Sequence, residues 1–281
     1  MQLTIVVHSD RPAFKAMPLI QRLYSQSVRD IDVVLATTSA PMDLAAAQAE
    51  YPVELLEFPT GSNASAMLNV AFARAQTELI VTLDGSWMPR DDRWLLALTR
   101  HFSSRAKVAA VSGCDFDPAR TSLRTPWYAQ DLLDFLAAPD YGLNFANAAF
   151  ARDAWRARAF ETSDAVSADK RWAYGALKDG HAVVMDYDAR CHQGEAPSDE
   201  AQFRRYWALN LSFGNFIQAR EDLRGLWQQA LSDCWQYRSV APLRRLYRME
   251  QLIRQQRYWR PEATQAMLAR EHFARGGKWA V

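Results

Sequence analysis

A few polar side chains stand where this sequence could do chemistry. Asp84 closes the run "TELIVTLDGSWMP" (Thr77 to Pro89), in which largely β-branched or apolar residues lead straight into a carboxylate, a glycine, a serine and a tryptophan. A fully buried parallel strand has this texture, and an open parallel sheet holds its ligand at the carboxyl ends of its strands. Asp169 opens the helical pattern "DKRWAYGALKDGH", which ends at Gly180, and the dipole of such a helix favours an ionised carboxylate at its start. His192 follows the strand-like "AVVMDYDARC", and Arg204 and Arg205 in "QFRRY" carry guanidinium groups of the kind that grip phosphate oxygens bidentately. Each has a plainer alternative: a turn cap for Asp84, a helix cap for Asp169, a structural histidine, and surface arginines.

The elements that must position these residues follow from periodicity. "LTIVV" (Leu3 to Val7) predicts a strand, "PLIQRLYSQSV" a helix with Leu19, Ile20, Leu23 and Tyr24 on one face, and "DVVLATT" a second strand. Strand, helix, strand with short links is a parallel βαβ unit. A helix over 43–50, the strand "VELLEF", a helix "SNASAMLNVAFARAQ" with Ser62 or Asn63 as N-cap, the strand ending at Asp84, a helix "RWLLALTRHF" and the strand "VAAVSGCDF" follow. The economical reading is an α/β fold: a doubly wound, mostly parallel sheet flanked by helices. Beyond it "WYAQDLLDFLAA" reads as helix, "YGLNFANAAFARDAW" as a polar-aromatic stretch, and nearly everything after Ser198 as helix. The expected division is residues 1–202 as a catalytic domain and 203–281 as a basic, aromatic-rich helical extension.

The order of these pieces resembles the family-two glycosyltransferases of the GT-A fold, inverting enzymes that use nucleotide-activated sugars. The likeness runs over roughly residues 2 to 215 and is carried by "LTIVVHSDRP", "LIQRLYSQS", "SAMLNVAFARAQTELIVTLDGS" and "SADKRWAYGALKDGHAVVMDYDARCH". It implies a catalytic base at Asp169, which takes the acceptor hydroxyl's proton as that oxygen attacks the anomeric carbon. It places Asp84 against the donor's ribose or phosphates and implies a divalent cation, Mn²⁺ or Mg²⁺, held by Asp84 and His192. His8 and Ser9 fall where the family cradles the nucleotide base, and Asn147, within "NFANAAFA", where it meets sugar and acceptor. Arg205 would serve the departing phosphate. Trp87 could stack on a ring. The sequence also departs from the family. The usual Asp-x-Asp reads Asp84-Gly85-Ser86 here, and a hydroxyl is a poor ligand for a hard cation. "DVVLATTSAP" lacks the acid commonly set against base and ribose, and Leu68 stands where an Arg usually precedes the equivalent of Asn69.

Composition bounds the partners. The 281 residues are 49% hydrophobic and 23% charged, without low-complexity segments, as expected of a globular protein. No apolar run reaches the roughly 18 residues of a membrane span. The apolar N-terminal run is too short for a signal peptide, and three widely spaced cysteines suggest neither metal site nor disulfide framework, so a cytoplasmic location is expected. Residues 203–281 hold 14 Arg or Lys against 6 Asp or Glu, together with five of the ten tryptophans. The stripe of Leu243, Leu246, Tyr247 and Ile253, with Arg244, Arg245, Arg248 and Arg254 beside it, could lie on the inner face of an anionic membrane or pack inward. No motif for reading nucleic acid is present, and none is expected as a partner. The expected function is inverting sugar transfer from a nucleotide-sugar donor to a saccharide or lipid-linked acceptor, in bacterial cell-surface polysaccharide or glycolipid synthesis. The alternative is a catalytically inactive GT-A-fold protein that binds or scaffolds. A nucleotidyltransferase would want a Gly-rich phosphate loop with a lysine, which is missing.

Overall fold

The structure is a computed structural model and describes residues 2–9, 14–103, 107–114, 125–163, 166–193, 208–209 and 212–255. The chain divides into two compact units: Met1–Gln130 with Gly142–Ala196, and Asp131–Tyr141 with Pro197–Val281.

The first unit is built on a mixed sheet. Its strands are β1 (Leu3–Ser9), β2 (Ile31–Thr37), β3 (Val53–Glu57), β4 (Leu79–Asp84), β5 (Trp87–Pro89), β6 (Val108–Cys114), β7 (Trp127–Gln130), β8 (Asn147–Ala151) and β9 (Ala182–Gln193). Among the described residues the order is β3-β2-β1-β4-β8-β6-β9-β5, with β7 also on β9. β1, β2, β3 and β4 are parallel; β8 runs antiparallel to β4 and to β6 on either side, and β6 and β9 are parallel again. All seven residues of β1 and all seven of β6 are buried, as central strands covered on both faces must be. Thr4 is accommodated there because its hydroxyl meets that of Thr77 at 2.8 Å.

Helices α1 (Ala16–Tyr24), α2 (Leu44–Glu50), α3 (Ala64–Arg74), α4 (Trp94–Thr99), α6 (Arg152–Ala157) and α7 (Ala168–Lys178) belong to this unit, and α5 (Leu132–Ala137) to the second. Asn63 caps α3 by accepting from the Ala66 amide at 2.9 Å. α7 stops where Gly180, at φ +81°, lets the His181 amide fold back onto the Ala176 carbonyl at 3.0 Å. Its inner face is clamped by aromatic packing. Trp172 meets Phe150 with centroids 5.2 Å apart, Phe160 packs on Phe145 at 4.5 Å and on Phe72 at 5.1 Å, and the Trp172 indole donates to the Arg158 carbonyl at 2.6 Å.

Two expectations fail locally. "WYAQ" does not open a helix but forms β7, antiparallel to Val183–Asp186 of β9. The helix begins only after Asp131, whose carboxylate takes the Asp134 amide at 2.9 Å while the Asp134 side chain returns to the Asp131 amide, a capping box that fixes the start. The polar-aromatic stretch hides β8. "NAAFA" has little intrinsic preference for a strand, and it becomes one because ladders on both sides bind its backbone.

In the second unit two helices, Ala219–Tyr237 and Ala241–Gln255, form an antiparallel hairpin turned at Arg238, which adopts φ 50°. The Trp227 indole donates to Glu250 across it at 3.0 Å. Arg245 reaches α5, its two nitrogens donating to Asp131 at 2.7 Å and Asp134 at 2.9 Å. Burial raises the Asp131 carboxyl, yet the Arg245 guanidinium and the Asp134 amide together hold it below the ordinary carboxylate range. No helix is long and apolar enough to cross a membrane among the described residues.

Candidate active site

The carboxyl ends of β1 and β4 lie side by side, with His8 in register with Asp84. Asp84 ends its strand half-buried, and the chain turns at once: the Gly85 amide donates to the His8 carbonyl at 2.9 Å. A Cβ on Gly85 would sit 3.1 Å from Ser9 and 3.2 Å from the Phe14 ring, so a residue without one suits the turn. The Asp84 carboxylate is oriented from inside the motif. Its Oδ1 accepts from the Ser86 amide at 2.8 Å and from the Ser86 hydroxyl at 2.6 Å. Ser86 therefore spends its hydroxyl on the acid beside it.

Leu143–Asn147, the segment entering β8, ties this edge to the rest of the site. The Ala146 carbonyl accepts from the Asp84 amide at 3.0 Å, and the Phe145 carbonyl meets His8 Nε2 at 3.1 Å. The Asn144 amide donates to Ser112 Oγ at 3.2 Å, at the end of β6. The Leu143 carbonyl accepts from Lys170 Nζ at 2.8 Å, which draws in the start of α7. Lys170 is 6% exposed and sits next to Asp169, 8% exposed, whose Oδ1 accepts from the Lys170 amide at 2.8 Å. Five residues thus gather the ends of three strands and the first turn of a helix, and they bring Asp84 and Asp169 to the same edge of the sheet.

His192 arrives there by a detour in β9. A step of two residues on β6, from Ser112 to Cys114, is matched by a step of five on β9, from Met185 to Arg190, and the bulge pushes the Ala189 carbonyl toward β6. A Cβ on Gly113 would lie 2.1 Å from that oxygen, so only glycine fits. Asn147 holds the bulge, donating from Nδ2 to Ala189 O at 3.0 Å while Oδ1 takes the Trp94 indole at 2.8 Å. At its base the fully buried Asp186 accepts from Arg100 at 2.8 and 2.9 Å and meets His101 Nε2 at 2.7 Å. Past the bulge β9 pairs with β5, opposing His192 to Met88 in the segment that follows Asp84. His192 is exposed and shares a face of β9 with Arg190, two residues away.

The structure sorts the residues singled out in the sequence. Asp84, Ser86, Asp169 and His192 share the carboxyl edge. His8 and Ser9 lie there too, but at 6% and 3% exposure, with the His8 ring bonded to the chain's own backbone. Asn147 is 1% exposed and both ends of its amide are engaged, so its described bonds are those of a brace for the site rather than of a ligand contact. Trp87, 7% exposed, packs in the core instead of offering its ring. Arg204 and Arg205 fall outside the described residues. Sequence reasoning passed over Lys170, Asn144 and Gly113; Lys170 was in plain view beside Asp169, but nothing in "SADKRW" announces a buried ammonium.

Among the described residues no three His, Cys, Asp or Glu side chains converge to hold a metal ion. Among the described residues the edge offers the carboxylates of Asp84, on its strand end, and Asp169, on the helix start, and the exposed imidazole of His192. Mg²⁺-type ions are commonly bound through one or two carboxylates and otherwise by phosphate oxygens and water. The donor set fits a cation that arrives with a diphosphate, and does not fit one caged by protein alone.

No protein-family model and no curated protein matches the chain. Solved structures do. The chain is similar to the mannosyltransferase PcManGT from Pyrobaculum calidifontis, solved in complex with GDP-Man and Mn²⁺, at 16% identity over 99% of this chain and 76% of that one, with a TM-score of 0.56. Glucosyl-3-phosphoglycerate synthase from Mycobacterium tuberculosis, in complex with Mn²⁺, UDP and phosphoglyceric acid, matches at 14% identity over 74% of this chain and 76% of that one, with a TM-score of 0.53. TarS of S. aureus matches at 12% identity, covering 82% of this chain and 43% of that one, with a TM-score of 0.52. At such identities the likeness establishes the fold: this is the GT-A glycosyltransferase fold.

Proposed function

We propose that the protein is an inverting glycosyltransferase, moving a sugar from a nucleotide-sugar donor to a saccharide or lipid-linked acceptor, in bacterial cell-surface polysaccharide or glycolipid synthesis. One observation carries the reading: Leu143–Asn147 holds Asp84 by its amide and Lys170, the neighbour of Asp169, by its ammonium, at one edge of a GT-A-type sheet. Asp169 acts as general base on the acceptor hydroxyl, its carboxylate stabilised at the start of α7 and fixed by the Lys170 amide. Asp84, oriented by Ser86, faces the donor's ribose and diphosphate. A divalent cation, when bound by Asp84 and His192, neutralises charge on the departing diphosphate. Arg205 is a further candidate for that charge, and the basic second unit for peripheral contact with the membrane that carries a lipid-linked acceptor. The protein works in the cytoplasm in this reading, without nucleic acid as partner.

The second reading, a GT-A-fold protein that binds without catalysing, draws on Ser86 in place of an acid and on the burial of His8 and Asn147. One experiment separates the two. Uridine and guanosine diphosphate sugars are screened for binding and turnover with and without Mn²⁺ or Mg²⁺, using Asp169→Asn as the control. Transfer predicts turnover that falls by about 10²- to 10⁴-fold in the variant while donor binding persists. Nucleotide binding without turnover in either protein selects the binding-only reading.

A further inference from the structure

The helical hairpin of the second unit turns out to expose something other than the stripe its sequence advertises. Of that stripe, Leu246 and Ile253 are 2% and 0% exposed and Leu243 is half-buried, Tyr247 stays open at 59%, and Arg245 beside them is committed to Asp131 and Asp134. The apolar face of Ala241–Gln255 is largely consumed inside the unit. Besides Tyr247, what remains open is the turn end of the hairpin. Trp235 is 90% exposed and Leu231 57%, four residues apart and so on one face of Ala219–Tyr237, and Val240 just past the turn is 56% exposed. Exposed arginines flank them: Arg238 at the turn itself, then Arg244 and Arg248.

We infer that this turn is an interfacial anchor, seating Trp235 and Leu231 at the headgroup level of an anionic bilayer while Arg238, Arg244 and Arg248 face its phosphates. It rests on the lipid-linked part of the proposed function and names the surface concerned. From Leu231 to Arg248 the chain carries four arginines and one acid, Asp233, so the surroundings of the exposed apolar groups are cationic. An indole left this open in water is unfavourable, and it is at home in the interface, where its ring meets acyl chains and its N–H meets headgroups. A nucleic acid would answer the arginines alone, whereas an anionic lipid surface answers both them and the apolar groups.

The test uses the full chain, without donor sugar, sedimented with vesicles of phosphatidylglycerol and phosphatidylcholine and, separately, of phosphatidylcholine alone. Binding is expected only to the first and should weaken as salt rises. Trp235→Ser should lower the partition coefficient by about tenfold, and replacing Arg238 and Arg244 with Gln by about fivefold for each charge. Both variants should melt with the parent protein, because the side chains are exposed. The inference is overturned if the full chain stays in the supernatant or if Trp235→Ser binds like the parent. It is equally overturned if sedimentation velocity shows a dimer that Trp235→Ser converts to monomer, which would make the patch an interface between copies. No donor is present, so failure here leaves the transferase reading standing, and absence of turnover leaves this one standing.

Discussion

The sheet edge around Leu143–Asn147 and the turn of the helical hairpin invert each other. At the edge, polar groups are buried and spent within the chain: His8 on the Phe145 carbonyl, Lys170 on the Leu143 carbonyl, Asn147 on the Ala189 carbonyl and the Trp94 indole. At the turn, a tryptophan and a leucine stand in solvent among unburied arginines. Buried polar networks fix geometry because an unmade hydrogen bond inside a protein costs so much, and exposed apolar groups wait for a partner. One region is built to hold side chains still, and the other to meet a surface.

The contrast breaks most sharply at Gly113. Gly113→Ala puts a methyl group onto the Ala189 carbonyl and the Asn147 amide, and should cost about 3 kcal/mol or more of stability, read as a drop in thermal midpoint. A comparable change at the hairpin, Gly225→Ala, meets open space and should leave the midpoint unchanged or slightly raised. Asn147→Ala leaves the Trp94 indole and the Ala189 carbonyl without partners, for a loss of about 2 kcal/mol in denaturant unfolding. Lys170→Met keeps most of the buried volume but releases Leu143. Transfer should slow by roughly tenfold, with KM for the donor little changed, because the shift falls on Asp169 and not on Asp84.

The smallest effect belongs to Arg245 and its two acids in the second unit. The Asp131 carboxyl is held low in the folded state, so its contribution is complete above the ordinary Asp pKa of about 4 and fades as pH falls through the depressed folded value. The pair is half exposed, and its worth is about 1 kcal/mol at most. An Arg245→Gln variant should lose that margin at neutral pH and show a shallower acid dependence below pH of about 4.

How much of this was legible in the sequence differs between the same regions. The parallel half was readable because buried strands are written in runs such as "LTIVV" and "LIVTLD", and the helix between strands in its 3.6-residue spacing. The antiparallel strand β8 was not, since "NAAFA" takes its conformation from neighbours on both sides. Asp84 and Asp169 could be picked out by their places at element ends. The five-residue junction that brings them together could not, because it works mostly through backbone carbonyls, which carry no residue signature. In the second unit the periodicity of "PLRRLYRMEQLIRQ" correctly marked an apolar stripe and left open which way it faced. The structure divides it: Leu246 and Ile253 face inward and Tyr247 faces solvent.

The central claim is that one sheet edge, closed by Asp84 and supplied with Asp169 through Leu143–Asn147, receives a nucleotide diphosphate. A crystal structure grown with UDP or GDP and Mn²⁺ tests it most directly. The expected result is a diphosphate over the ends of β1 and β4, a metal peak at the Asp84 carboxylate, and Asp169 lining the same hollow. A nucleotide bound elsewhere on the molecule, or one at this edge with Asp169 turned away from it, would contradict it.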